Sequence, residues 1–177
     1  MASKTGFDYA PQAAHSEKVV APGTYKFATA FLDHGHIYGQ VNGLLEAGAE
    51  LACVYDPDPA KVAKFLESHP DTPVAESFEA VLAHPEIKLI AAAAIPNRRA
   101  DIGIQVMDAG KDYFTDKCPF TTMAQLEAVK AKVTETGRRY MVYFSERLHV
   151  ESAVKATELV QGGAVGDVVS VMNLAPH

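Results

Sequence analysis

Apolar positions along the chain gather into short runs, and the stretches between them carry a helical period. Lys26–Leu32 (KFATAFL) predicts a strand that leads into the turn Asp33-His34-Gly35-His36. A helix fits from about Ile37 to Ala47 and is stopped by Gly48. Glu50–Tyr55 (ELACVY) predicts a second strand, closed by Asp56. Asp58-Pro59 then sets an N-cap before a proline at the first helical position, and that helix runs to His69, ahead of Pro70. Pro73–Ala75 predicts a minimal strand and Ser77–Ala83 a short helix capped by Ser77. Lys88–Ile95 (KLIAAAAI) is an unbroken apolar run, the pattern of a central parallel strand covered on both faces. Asn97 is expected to cap a helix through Ala109, closed by Gly110, and Asp112–Thr115 is the next strand. Thr122 and Gln125 form a capping box for a helix ending at Gly137. Arg139–Ser145 predicts a strand, Leu148–Gln161 a helix closed by Gly162-Gly163, and Asp167–Leu174 a last strand.

Strands and helices alternate, and no hairpin signal joins one strand to the next. This predicts an α/β fold with a doubly wound parallel sheet. The expected strand order is the 3-2-1-4-5-6 of a dinucleotide-binding domain, with ligands at the C-terminal edge of the strands. Three segments follow from the pattern. Residues 1–25, with Pro11, Pro22 and Gly23, read as an extended N-terminal arm; residues 26–162 form the nucleotide-binding domain; residues 163–177 begin a second domain. The last predicted strand has no helix after it, so the chain is expected to be the first part of a longer protein.

Composition narrows the classes. The chain has 177 residues, 48% apolar and 21% charged, as an ordinary globular protein has. Its 16 Lys and Arg face 22 Asp and Glu, a net charge of −6 without a basic stripe, which argues against a nucleic-acid partner. The longest apolar run is far shorter than the ~20 residues of a spanning helix, so no membrane partner is expected. Two cysteines in separate segments do not make a disulfide framework and point to a reducing, cytoplasmic setting.

The candidate chemistry lies at the strand ends. Asp56 stands 21 positions after Gly35, the spacing at which an acid accepts hydrogen bonds from the adenosine ribose hydroxyls. A carboxylate there favours NAD over NADP. Of the glycine fingerprint only the second glycine is kept, as Gly35, with Asp33 at the first position and Tyr38 at the third. The helix start at Gly35, His36 and Ile37 remains suited to a pyrophosphate. His34-Gly35-His36 lacks a Cys or carboxylate partner at ligand spacing, so these histidines are expected to line a ligand turn or face solvent, with no metal. Cys53 is expected in the core, and Cys118 as a passive thiol at the site. Arg98-Arg99 is expected to face a phosphate, a partner or solvent.

Several segments, in order, resemble the Gfo/Idh/MocA oxidoreductases, the glucose–fructose oxidoreductase and inositol dehydrogenase relatives. Ala49–Lys61 (AELACVYDPDPAK) is similar to the family's second strand and following turn. Ala94-Ile95-Pro96-Asn97 is similar to its A-T-P-N segment, and Met107–Lys111 to A-L-E-A-G-K. Asp116-Lys117-Cys118-Pro119 resembles its E-K-P motif with one residue inserted before the proline. Met141–Leu148 (MVYFSERL) resembles M-V-G-F-N-R-R-F, and Gly163–Val171 (GAVGDVVSV) resembles the entry into the family's second domain.

The resemblance implies a Rossmann-type domain whose C-terminal substrate domain is missing from this chain. It places Gly35 and His36 under the pyrophosphate, Asp56 on the adenosine ribose, and Pro96 and Asn97 beside the nicotinamide ribose. Lys117 is implied as the catalytic lysine between nicotinamide and substrate, where an ammonium stabilises charge on the reacting oxygen. Asp116 is implied as its fixing carboxylate, and Arg147, the match to the N-R-R arginine, as a substrate contact. A cis peptide is expected before Pro119. The sequence departs from the family at Ala100, where a histidine is usual, at Ser145-Glu146, and after Val171, where the D-x-x-x-H segment with the general acid/base is not found.

The implied function is NAD-dependent hydride transfer with a sugar, polyol or related carbohydrate alcohol, NADP being the less favoured cofactor. On its own the chain is expected to turn over little. The alternative is a non-catalytic relative acting as a nucleotide-dependent regulator or binding protein. A flavodoxin-like module is disfavoured by six strands and Asp56. The full-length protein is expected to form homo-oligomers through the second domain.

Overall fold

The computed structural model describes residues 18–145 and 150–172. They divide between two compact units, one over residues 18–143 and the other over 144–145 and 150–172.

In the first unit β1 (Lys26–Ala30), β2 (Glu50–Tyr55), β3 (Ile87–Ala92), β4 (Asp112–Asp116) and β5 (Tyr140–Tyr143) form one parallel sheet of order β2-β1-β3-β4-β5. The predicted minimal strand contributes a single parallel bridge, Val54 to Val74, outside β2. The 3-2-1-4-5-6 order therefore holds with its third member cut to one pair. Pro73 has no N–H, so only its carbonyl and the Ala75 amide bond to Val54.

The connections are helices: α1 (His36–Glu46), α2 (Pro59–Leu66), α3 (Phe78–Ala83), α4 (Arg99–Asp108) and α5 (Met123–Thr136). Their starts follow local chemistry. Asp58, Ser77 and Thr122 each accept an N–H of the first helical turn. Gly137 closes α5 in the left-handed conformation (φ 65°). Two expectations are corrected. Asn97 does not cap α4, because Pro96–Arg98 form a 3-10 turn first and Arg98 sits at the cap without a side-chain bond. The reciprocal half of the capping box is displaced by one residue, since Gln125 Oε1 accepts from the Thr121 amide (2.8 Å).

Strand period then builds a core on each face of the sheet. Phe27, Val54, Leu89 and Ala91 pack with Ile37, Val41, Val62 and Phe65 on the α1/α2 side. Ala28, Ala30, Ile90 and Ala92 pack with Phe78, Val81, Ile102 and Val106 on the other. The unbroken apolar run supplies β3 as far as Ala92, paired on both sides and buried on both faces, and the expected strand is shortened at its end, since residues 93–95 lie beyond it. Each large side chain fully buried here contributes roughly 1.5–3 kcal/mol. Lys111, in the segment similar to A-L-E-A-G-K, is a strut at the opposite edge. Its Nζ donates to the His84 (2.7 Å) and Ile87 (2.8 Å) carbonyls, and burial lowers its pKa below the usual lysine value.

In the second unit α6 spans Glu151–Gln161; the predicted start at Leu148 lies outside the described residues. The expected strand over 167–174 is corrected for its described part. Residues 167–172 are not a strand and have no strand partner among the described residues, which leaves Val169 95% exposed. Among the described residues no helix is long and apolar enough to cross a membrane.

Candidate functional site

The C-terminal edge of the sheet is shaped by the turn after β1. Phe31, the first residue beyond the strand, has φ 55°, a left-handed conformation that costs a non-glycine residue about 1–2 kcal/mol. Asp33, at the first fingerprint position, lies two residues further on. The chain bends as a glycine would let it, at a phenylalanine. Bonds on both sides hold it there: the Phe31 amide donates to the Tyr55 carbonyl and the Ala93 amide to the Phe31 carbonyl, both at 3.1 Å. The ring turns into the α3-side core against Phe78 (centroids 4.8 Å apart) and Tyr55. Arg98 lies over it, 5.2 Å from the centroid.

Asp33 instead ties the turn to its neighbours. One oxygen pairs with Lys61 Nζ, and the other accepts from the Ile95 amide (3.3 Å). Hydrogen bonding to Asp33 holds the Lys61 pKa above the usual lysine value. Asp56 is buried at the end of β2 and accepts from the Leu32 amide (2.6 Å) and the Asp58 amide (2.8 Å), with Lys61 Nζ 4.0 Å away. Its carboxylate braces the β1 turn against the start of α2, and each oxygen keeps a second lone pair.

Beside this turn a cleft of about 390 Å³ is lined by Asp33, His34, His36, Pro96, Asp116 and Lys117, among others. Gly35 starts α1 with no side-chain cap, and a Cβ there would meet nothing within 4 Å. The α1 N-terminus is therefore open to close approach by a ligand. Ile37 is buried in the α1/α2-side core, so only its backbone serves the turn, donating to the His34 carbonyl (3.2 Å). Asn97 lies outside the lining, and its carbonyl accepts from Gln125 Nε2 (2.9 Å). Arg147 lies outside the described residues.

Asp116 forms the floor. Its carboxylate accepts from the Lys117 amide (2.8 Å), meets His36 Nδ1 at 2.9 Å and His34 Nδ1 at 3.4 Å, and pairs with Arg99 Nη2 at 3.3 Å. Arg99 is buried, contrary to the expectation that it faces a phosphate, a partner or solvent. Its guanidinium also donates to the Ala94 (2.6 Å) and Cys118 (3.0 Å) carbonyls, so its donors close the cleft from below. Periodicity could have found it, since Arg99, Ile102, Gly103 and Val106 share the buried face of α4. Cys53 is in the core, where burial raises its pKa, and Cys118 is exposed at the cleft. The cis bond is Lys117–Cys118, one residue before the expected place.

The family model described as an oxidoreductase family with an NAD-binding Rossmann fold matches residues 23–144. The chain belongs to the Gfo/Idh/MocA family. A solved oxidoreductase structure from Erwinia carotovora atroseptica is 48% identical (TM-score 0.79), with 82% of this chain and 44% of that one covered. Two further solved structures share the fold. The scyllo-inositol dehydrogenase of Lactobacillus casei has 19% identity and a TM-score of 0.71, covering 84% of this chain and 44% of that one. The myo-inositol 2-dehydrogenase of Lactobacillus plantarum has 16% identity and a TM-score of 0.68, covering 82% and 43%. The chain thus spans less than half the length of these structures. The curated proteins contain no match to it.

Two observations at this Gfo/Idh/MocA edge fit a dinucleotide. The open space at Gly35 admits a phosphate beside the α1 N-terminus, and the Phe31 ring lies in the core rather than in the cleft lining.

Proposed function

We propose that this chain is the cofactor-binding part of an NAD(P)-dependent oxidoreductase acting on a sugar, polyol or related carbohydrate alcohol. The observation that carries the reading is the cleft at the C-terminal strand edge, which gathers Lys117, Asp116 and Pro96 beside the open start of α1. Gly35, His36 and Ile37 hold the pyrophosphate, Asp56 the adenosine ribose, and Pro96 and Asn97 the nicotinamide ribose. When bound, the nicotinamide supplies hydride exchange. Lys117 hydrogen-bonds the reacting oxygen of the substrate and stabilises its developing charge. Asp116, fixed by Arg99, anchors the Lys117 backbone. Arg147 is assigned to the substrate side. Names of similar structures that specify inositol dehydrogenases support the substrate class. A substrate domain after residue 162, a cytoplasmic setting and homo-oligomers of the full protein belong to the same reading.

Calorimetric titration with NAD and NADP tests it. Binding of NAD in preference to NADP is expected. Absence of both sinks the reading, and tight NADP binding without NAD sinks the role of Asp56. Phe31 and Asp33 in the glycine turn favour a second reading, a nucleotide-dependent regulator. It predicts dinucleotide binding without hydride transfer in the full-length protein.

A further inference from the structure

His34, His36 and Asp116 each bring one ligand atom to a common point, with all three atoms within 4.8 Å of one another. Two observations set this cluster apart from an ordinary hydrogen-bonded histidine. First, both imidazoles turn Nδ1 toward the same carboxylate, His36 at 2.9 Å from one oxygen and His34 at 3.4 Å from the other. Second, His34 Nδ1 accepts the His36 backbone N–H (3.2 Å). His34 Nδ1 thus lies between the His36 amide and Asp116 Oδ2, beside the second histidine and its carboxylate partner.

We propose that His34, His36 and Asp116 form a three-ligand site for a divalent transition metal of the zinc class. Imidazole nitrogen and carboxylate oxygen are a donor set suited to such ions. With metal–ligand distances of about 2.0–2.1 Å, tetrahedral ligand atoms stand about 3.3 Å apart. The 2.9 Å separation is to Oδ1 and the 3.4 Å one to Oδ2 of Asp116, so an ion takes one of these oxygens, and no pair of the three ligand atoms needs to close by more than about 1.5 Å from the 4.8 Å bound.

Asp116 is the fixed member, with its side chain 2% exposed and oriented by Arg99 from behind, as outer partners orient metal ligands. The histidines, 53% and 31% exposed, bring the other two atoms from the solvent side. Arg99 already balances the charge of Asp116, so the bound cation leaves a net positive site. Its fourth position therefore suits water or an anionic oxygen of a ligand entering the cleft. The proposal does not depend on the dinucleotide reading.

Zinc and cobalt(II) binding to the chain, without dinucleotide, tests the site by calorimetry and by the visible absorption of cobalt. One ion per chain with a tetrahedral cobalt spectrum is expected. His34→Ala, a largely exposed position, and His36→Gln should each weaken binding by at least about 10-fold. The double variant should abolish it, while His84→Ala and Cys118→Ser should leave it unchanged. Circular dichroism confirms that each variant is folded. No stoichiometric binding by the wild type, or binding retained by the folded double variant, overturns the proposal. Loss on Cys118→Ser alone would overturn the ligand set. Dinucleotide titrations are read separately, so failure of either assignment leaves the other to its own test.

Discussion

Replacing Phe31 by alanine and by glycine separates two effects that coincide at this residue. The side chain is 5% exposed and packed against Phe78 and Tyr55, so truncating it to alanine costs about 3–5 kcal/mol. Alanine keeps the left-handed cost of about 1–2 kcal/mol that φ 55° imposes, and glycine does not. Glycine adds an entropic cost of about 0.5–1 kcal/mol in the unfolded chain. The backbone terms therefore favour Phe31→Gly over Phe31→Ala by about 0–1.5 kcal/mol, centred near 0.7 kcal/mol. That is the reverse of the order at ordinary sites, where alanine is the more stable. In urea melts with a slope of about 1–3 kcal/mol/M, the glycine midpoint should lie higher by a few tenths of a molar. Equal slopes for the two variants would show that the denatured state is the same. An alanine variant more stable than the glycine variant by about 0.5 kcal/mol or more, the ordinary order, would refute the turn geometry assigned to Phe31.

Other positions give sharp contrasts. A Cβ at Gly103 would stand 2.4 Å from the Tyr140 ring and 2.7 Å from the Tyr113 ring, so Gly103→Ala should destabilise by about 1–3 kcal/mol in urea melts. Gly43, in the middle of α1 with nothing within 4 Å, should instead gain about 0.5–1 kcal/mol on replacement by alanine. Lys111 predicts a pH dependence. Its folded pKa lies below the 10.5 of the unfolded chain, so between the two values the unfolded chain holds more protons and stability rises with pH. The stability of wild type minus that of Lys111→Met should be flat well below the folded pKa and should increase as pH climbs through it toward 10.5. A difference that falls over that range contradicts the buried strut.

The fold was legible because its signals are local. Asp58, Ser77 and Thr122 cap helices whose amides lie two or three residues away. The run that became β3 marks itself as doubly covered by never alternating. The site was legible only in outline. Spacing from Gly35 led to Asp56 at the end of β2, yet its present partners, the Leu32 and Asp58 amides, follow from the turn geometry. His36 and Asp116 are 80 residues apart, so a search for a neighbouring carboxylate could not pair them. Phe31 was missed because a left-handed turn is ordinarily signalled by glycine. Arg99 was missed because a charged residue at a helix start reads as solvated until its burial is known. The strand expected over 167–174 needed a partner strand that the described residues do not supply.

The central claim is that a nicotinamide dinucleotide binds at the C-terminal edge of the sheet, across the α1 start and Lys117. An NMR titration of the isotope-labelled chain with NAD tests this most directly. The account predicts saturable shifts at the amides of Gly35, His36, Ile37, Asp56, Asn97 and Lys117. A second hollow, of about 990 Å³, is lined by Tyr25, Lys88, Lys111 and Arg138 and serves as the internal control. Shifts confined to that hollow, or none at saturating NAD, would contradict the account.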